Sequence, residues 1–292
     1  MHYTIQNQDL IVTIATHGAE IKSILYQNVE YLHDANPAFW NRSAPILFPN
    51  IGAILGGSCT IQGKSYPMKK HGLIRDREFT LQHIEPSSIT LTYTAGEDDL
   101  QIYPFLFQMD ITYQIHGNVL KSYIVVKNLS DSTMPFHLGL HPAFKVPLFP
   151  NEQFEDYKLV FGEAGTYDCP SVNLTNGTID FEQTARRFEH LKELPLRYAD
   201  YAQDALVFDH LSTHYVQLVN PNHNHGVAFE FNDFPMLGIW TPNHVKANFI
   251  CIEPWIGCAD SSQHDGQFEH KPYQICLQPQ EMKLISYQIQ FF

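Results

Sequence analysis

Phe107-Gln108-Met109-Asp110-Ile111-Thr112-Tyr113-Gln114-Ile115-His116, then Gly117-Asn118, then Val119-Leu120-Lys121-Ser122-Tyr123-Ile124-Val125-Val126, reads as two strands joined by a tight turn. Side chains on a strand alternate between its faces, so Phe107, Met109, Ile111, Tyr113 and Ile115 share one side. Leu120, Ser122, Ile124 and Val126 share one side of the return strand, and the His116-Gly117-Asn118 break suits a hairpin. Ile89, Leu91 and Tyr93 alternate in the same way with Thr90, Thr92 and Thr94. Similar runs lie at 10–14, 205–208, 215–219, 227–231, 249–252 and 283–291. Their Tyr, Phe, Thr, Ile and Val suit a pleated surface.

Helical patterning is scarce. Residues 183–193 (QTARRFEHLKE), ended by Pro195, form the one convincing amphipathic helical segment, and 36–41 suits a single turn. The 18 Pro and 16 Gly are spread as turn punctuation, with no linker-like cluster and no repeat of fixed period. Many strands with few short helices predict an all-β protein, one large antiparallel β-sandwich spanning residues 1–292 as a single domain.

Composition narrows the function. Charged residues are 17% and hydrophobic ones 44%, a globular balance. The net charge of −13 leaves nothing to neutralise a phosphate backbone, so nucleic acid is not an expected partner. No apolar run approaches the ~20 residues that span a bilayer, and no leader pattern opens the sequence. No membrane partner and a cytoplasmic location are therefore expected. Five cysteines, an odd number without a C-x-x-C pair, read as thiols of a reducing compartment.

Four clusters interrupt strand-like sequence with chemistry-bearing groups. In Phe136–Phe144, His137, Gly139 and His141 share a strand face, and Pro142 should end the strand at His141. For each histidine an ordinary structural role stands beside a site role; Gly139 on the same face leaves room for a ligand. In Phe249–Gly257, Glu253 ends an apolar strand and is followed by Pro254 and Trp255. A surface carboxylate and a general base beside an apolar wall are about equally good readings. Lys70–Phe79 holds His71 and Arg75 around Gly72, which permits close backbone approach. By composition this segment reads as a charged loop. Trp40–Gly52 carries the single cation Arg42 ahead of an apolar run flanked by prolines.

Other motifs are discounted. His137 and His141 lie on a strand, not in a helical H-E-x-x-H, and His223-Asn224-His225 sits in turn composition without an evident third ligand. No metal is expected at either place. Neither a G-x-S-x-G elbow, a P-loop nor a G-x-G-x-x-G occurs.

Taken in order, the strings resemble the aldose 1-epimerase (galactose mutarotase-like) superfamily, nearest its hexose-6-phosphate 1-epimerase-like branch. They are R-S-A-P-I-L-F-P-N-I-G from Arg42, H-G-L-I-R-D from His71, L-G-L-H-P-A-F from Leu138, D-A-L-V-F from Asp204 and E-P-W-I-G from Glu253. The resemblance implies a mutarotase-like β-sandwich with its site in a groove on one sheet. It implies Glu253 as general base and His141 as general acid, with His71, Asp204, Arg42 and Arg75 binding the sugar. Trp255 or Phe144 is suggested as a stacking surface by adjacency alone. Where many relatives carry Arg after the Gly of the F-P-x-x-G string, this chain has Ala53.

The implied activity is a sugar 1-epimerase acting on an aldose or hexose phosphate, with no cofactor, through ring opening and closure. The base takes the anomeric hydroxyl proton while the acid protonates the ring oxygen. On this reading the two groups face one pyranose from opposite edges. A non-catalytic sugar-binding protein on the same fold is the alternative. A hydrolase or lyase would use two carboxylates and leave His141 unexplained.

Overall fold

The structure, a computed structural model, describes residues 1–292. The hairpin forms as its alternation predicts, pairing from Phe107 with Asn128 down to His116 with Val119. Gly117 and Asn118 are left as a two-residue turn in which Gly117 has φ 59°, the position where a II′ turn asks for glycine. The inward row from Phe107 to Ile115 is buried, as is that from Leu120 to Val126.

This hairpin is part of a nine-stranded antiparallel sheet. In spatial order its strands are Ile179–Pro195, Lys158–Val172, Tyr215–Val219, Gly226–Glu230, Met282–Phe291, Val119–Asn128, Phe107–His116, Ser88–Thr94 and Thr80–Glu85. A second sheet orders Leu206–Phe208, Met236–Trp240, Phe249–Ile256, Leu138–Leu140 and Ile46–Leu47, with Ala143–Lys145 also paired to Phe249–Ile256. The sheets pack as a sandwich over a core cluster of 68 residues. Aromatic pairs bridge them: Phe48 lies 4.8 Å from Phe107 and Phe144 6.1 Å from Phe229, centroid to centroid. The strands at His2–Gln6, Leu10–Ala15, Ile21–Tyr26 and Val29–Glu30 add a small third sheet.

The helix expected at 183–193 is instead part of the long edge strand Ile179–Pro195, and no helix of seven or more residues forms anywhere. The cause is a bulge. Tyr167 pairs with Phe188, but Gly165, two residues earlier, pairs with Leu191, three residues later. His190 takes a positive φ of 51° at this extra position. A bulge puts residues three apart on one face, which imitates helical spacing. The turn at 36–40 does form, with the amides of Phe39 and Trp40 donating to Asn36 O. The five cysteines are free thiols, all buried except Cys276. No helix is long and apolar enough to cross a membrane.

What positions the site is the strand Phe249–Ile256, buried along its whole length at the middle of the second sheet. Its Glu253 pairs with Gly238 and its Trp255 with Gly139. A Cβ on Gly238 would stand 2.7 Å from the Trp255 indole, and one on Gly139 2.9 Å from it. The space opened by Gly139 is therefore occupied by Trp255, not left for a ligand.

Candidate active site

Seven segments distant in sequence meet in one cavity of about 210 Å³, the scale of a small-molecule site. Glu253, His141, His71, Arg75, Asp204 and Trp255 all line it, so six of the seven candidate residues are brought together.

Glu253 is 1% exposed and His141 7% exposed. His141 follows the strand Leu138–Leu140 directly, its amide donates to Pro45 O, and Pro142 stops the ladder beyond it, as expected. Its Nε2 lies 3.1 Å from Glu253 Oε2. The two groups stand side by side, not on opposite edges of a sugar-sized gap. Adjacent groups of this kind can reach two oxygen atoms bonded to one carbon.

Burial sets the protonation of this pair. Desolvation holds the Glu253 carboxyl well above the usual carboxylate range, and the negative charge of Asp204 adds to it. Desolvation pushes His141 down to about 3, helped by the positive charge of Lys70. Burial thus disfavours charge on both groups, and at 3.1 Å a proton can pass between them. Moving it gives a carboxylate and an imidazolium, the base and acid a hemiacetal opening requires. Trp40 stacks on the His141 ring at 4.6 Å and Trp240 meets it edge-on at 5.6 Å, which fixes the imidazole plane.

His71 is 8% exposed and has φ 68°, held by two contacts with Gly52. Its amide donates to Gly52 O at 3.0 Å, and its Nδ1 accepts from the Gly52 amide at 3.2 Å. Accepting at Nδ1 puts the proton of the neutral ring on Nε2. Burial, followed by the nearby His141, keeps His71 well below its ordinary range, so it is neutral. Gly72 permits this placement: a Cβ there would stand 2.2 Å from Phe48 O, which accepts from the amides of Leu73 and Ile74. The charged-loop reading of this segment gives way to a tightly held wall.

Asp204 precedes the strand Leu206–Phe208 in a positive-φ turn, with one carboxylate oxygen bound by the Ala205 amide. Arg75 donates to Lys70 O, while its buried Nε has no partner. The Trp255 indole N–H is directed at the Glu253 carboxyl, where it favours the carboxylate form and partly offsets desolvation.

Arg42 is the exception. It does not line the cavity: its guanidinium binds Asp76, donates to Arg75 O and faces Glu20 at 3.8 Å. Two carboxylates and a carbonyl claim its donors, so it braces Arg75 from behind. Phe144, suggested as a stacking ring, is instead buried between the sheets against Phe229. His137 also lies elsewhere, with Nε2 on Pro272 O and its ring against Gly257.

Among the lining residues that the sequence did not single out, three carry a charge or a large ring. Lys70 directly precedes His71, and Trp40 and Trp240 flank His141. All three tryptophans of the chain thus line one cavity, a signal that composition alone contained. Ala53 is buried, and a Cβ on Gly177 would stand 3.1 Å from its own Cβ. Gly177 belongs to the 173–178 turn of the long edge hairpin, so that turn closes over the position where many relatives carry arginine.

Comparison with known proteins gives matches along almost the whole chain. A family model described as Aldose 1-epimerase matches residues 1–289. Chromosomal protein LacX of Lactococcus lactis subsp. lactis is 31% identical over 296 residues, covering 99% of each chain. The galactose mutarotase related enzyme of Lactobacillus acidophilus superposes with a TM-score of 0.94 at 30% identity, over 100% of this chain and 97% of that one. A galactose mutarotase-like protein from Lactobacillus casei ATCC 334 gives 0.91 at 29% identity over the full length of both.

Proposed function

The chain belongs to the aldose 1-epimerase family, and from that premise we propose that it is a sugar 1-epimerase interconverting the α and β anomers of an aldose or hexose phosphate. The observation that carries this reading is the buried contact between Glu253 and His141 in a cavity lined by hydroxyl-binding groups. Glu253, as carboxylate, takes the proton of the anomeric hydroxyl. His141, as imidazolium, gives its proton to the ring oxygen, and the C1–O5 bond opens to the free aldehyde. Rotation about C1–C2 presents the other carbonyl face. O5 then attacks C1 and returns its proton to His141, while the new anomeric oxygen takes one from Glu253. Protons balance over the cycle without any cofactor.

The remaining groups hold the ring while its anomeric end turns. His71 donates through Nε2, Asp204 accepts from hydroxyls, and Arg75 offers its guanidinium from the cavity wall. Lys70 and Arg75 both line the cavity, and two cations there accommodate a phosphate without requiring one. Burial supports catalysis over mere binding: a pure sugar-binding site has no use for a carboxyl and an imidazole desolvated against each other. The full chain is proposed to act as one domain, supported by a core cluster that draws on residues from Ile5 to Phe291.

The test is a panel of free aldoses and hexose 6-phosphates, each dissolved as one anomer and followed by NMR with and without the protein. Accelerated exchange on at least one sugar is expected and names the substrate class. Binding with exchange no faster than buffer on every sugar would overturn the reading.

A further inference from the structure

The strand that carries Glu253 also carries Cys251 two residues earlier, so both side chains leave the same face of the sheet. Cys251 is fully buried, paired in register with Trp240 and packed beside Trp40. One donor atom each from His141, Cys251 and Glu253 lies within 4.8 Å of the others, with the His141–Glu253 contact already at 3.1 Å.

A tetrahedral Zn²⁺ with bonds of about 2.0–2.3 Å spaces its ligand atoms roughly 3.3–3.8 Å apart. Movements of about 1.5 Å or less therefore bring these three atoms to ligand spacing. One imidazole nitrogen, one thiolate and one carboxylate oxygen form a set that suits a borderline-soft cation better than Mg²⁺ or Ca²⁺. His141 and Glu253 face the cavity while Cys251 lies outside its lining, so a fourth coordination position opens toward the sugar site.

We propose that His141, Glu253 and Cys251 form a latent site for a thiophilic divalent cation such as Zn²⁺, and that filling it switches the sugar site off. Binding releases the Cys251 thiol proton and the shared Glu253–His141 proton to solvent, and metal–sulfur, metal–nitrogen and metal–oxygen bonds replace them. The inhibitory half of the proposal rests on Glu253 and His141 being the acid–base pair. The binding half does not.

The test uses the full chain in a Cys276→Ser background, which removes the exposed thiol. Co²⁺ is titrated first as a spectroscopic probe, then displaced by Zn²⁺, with heat of binding followed in parallel. One Co²⁺ per chain with a thiolate-to-metal charge-transfer band is expected. Cys251→Ala, and Cys251→Ser as a second replacement should the first melt early, should lose the band and bind Zn²⁺ at least tenfold more weakly. A chelator-buffered Zn²⁺ level that slows anomer exchange tenfold should leave the exchange rate of the Cys251 variants, each relative to its own metal-free rate, unchanged. Absence of the band, or equal Zn²⁺ affinity in the Cys251 variants, would overturn the metal site. Failure to accelerate any sugar strikes the epimerase reading instead, since the band decides the metal site by itself.

Discussion

Gly72→Ala should damage the site through the backbone alone. Gly72 has φ 72°, and an added Cβ would stand 2.2 Å from Phe48 O. Left-handed backbone costs an ordinary residue about 1–2 kcal/mol. Relief of the clash needs a shift of about 1 Å, the difference from an ordinary contact. That shift strains two hydrogen bonds, from the Leu73 and Ile74 amides to Phe48 O, each contributing roughly 0.5–1.5 kcal/mol. Together these give about 2–5 kcal/mol, or roughly 3–8 °C in Tm for a chain of this size. Gly63→Ala is the internal control, because Gly63 has φ 76° but open space where its Cβ would go. It should cost only about 1–2 kcal/mol, the conformational part. Since His71 and Arg75 flank Gly72, anomer exchange by the folded Gly72→Ala protein should also fall, on the order of 10²-fold for a misplacement near 1 Å. Thermal melts of both variants and exchange rates well below the melts make the comparison. Equal melting of the two, or a Gly72→Ala protein with full activity, would refute the claim that this close approach places the wall of the site.

Further outcomes follow from the same contacts. Arg42→Ala should raise KM with little change in kcat, because Arg42 braces Arg75 without lining the cavity; a collapse of kcat at unchanged KM would contradict that. Lys271 and Asp260 form a buried ion pair, and Asp260 also accepts from the Leu55 amide. Lys271→Met should therefore destabilise by about 3–5 kcal/mol in urea unfolding, with Asp260→Asn in the same chain recovering part of the loss. His137, buried away from the cavity, is held well below its ordinary 6.5 by desolvation, then by Lys271. Because its folded-state value is depressed, the unfolded chain binds the proton first, and stability is lost as pH falls below 6.5. His137→Gln should flatten that acid limb by up to about 1.4 kcal/mol per pH unit, read from urea midpoints across the window. An unchanged slope would mean the imidazole is not buried in its neutral form.

Much of the architecture was legible because strand alternation is local. The 107–126 hairpin could be read to the residue, since its inward row and its Gly-Asn turn agree. The segment 183–193 could not, because the bulge at His190 changes the side-chain period from two to three and is fixed by pairing with distant residues near Gly165. In the site, Glu253 and His141 stood out at the ends of apolar strands, whereas His71, Arg75 and Asp204 were reached only through the resemblance, because a charged loop and a lone aspartate carry no local pattern. The cations were harder. Arg42 and Lys70 look alike in sequence, but Arg42 meets Asp76 and Glu20 while Lys70 reaches the cavity, and only the folded chain decides which charge is claimed. Trp40 and Trp240 were missed because each sits in the site only through its packing on His141.

The most direct measurement is the rate of α–β exchange, by NMR on the best sugar of the panel, for the parent chain against Glu253→Gln at equal concentration. Gln keeps the shape of the side chain but cannot take a proton from the anomeric hydroxyl. The expected result is a loss of about 10²–10⁴-fold in kcat with the fold intact, the usual contribution of one positioned base. A Glu253→Gln protein that exchanges anomers as fast as its parent would contradict the role of Glu253 and the mechanism built on it.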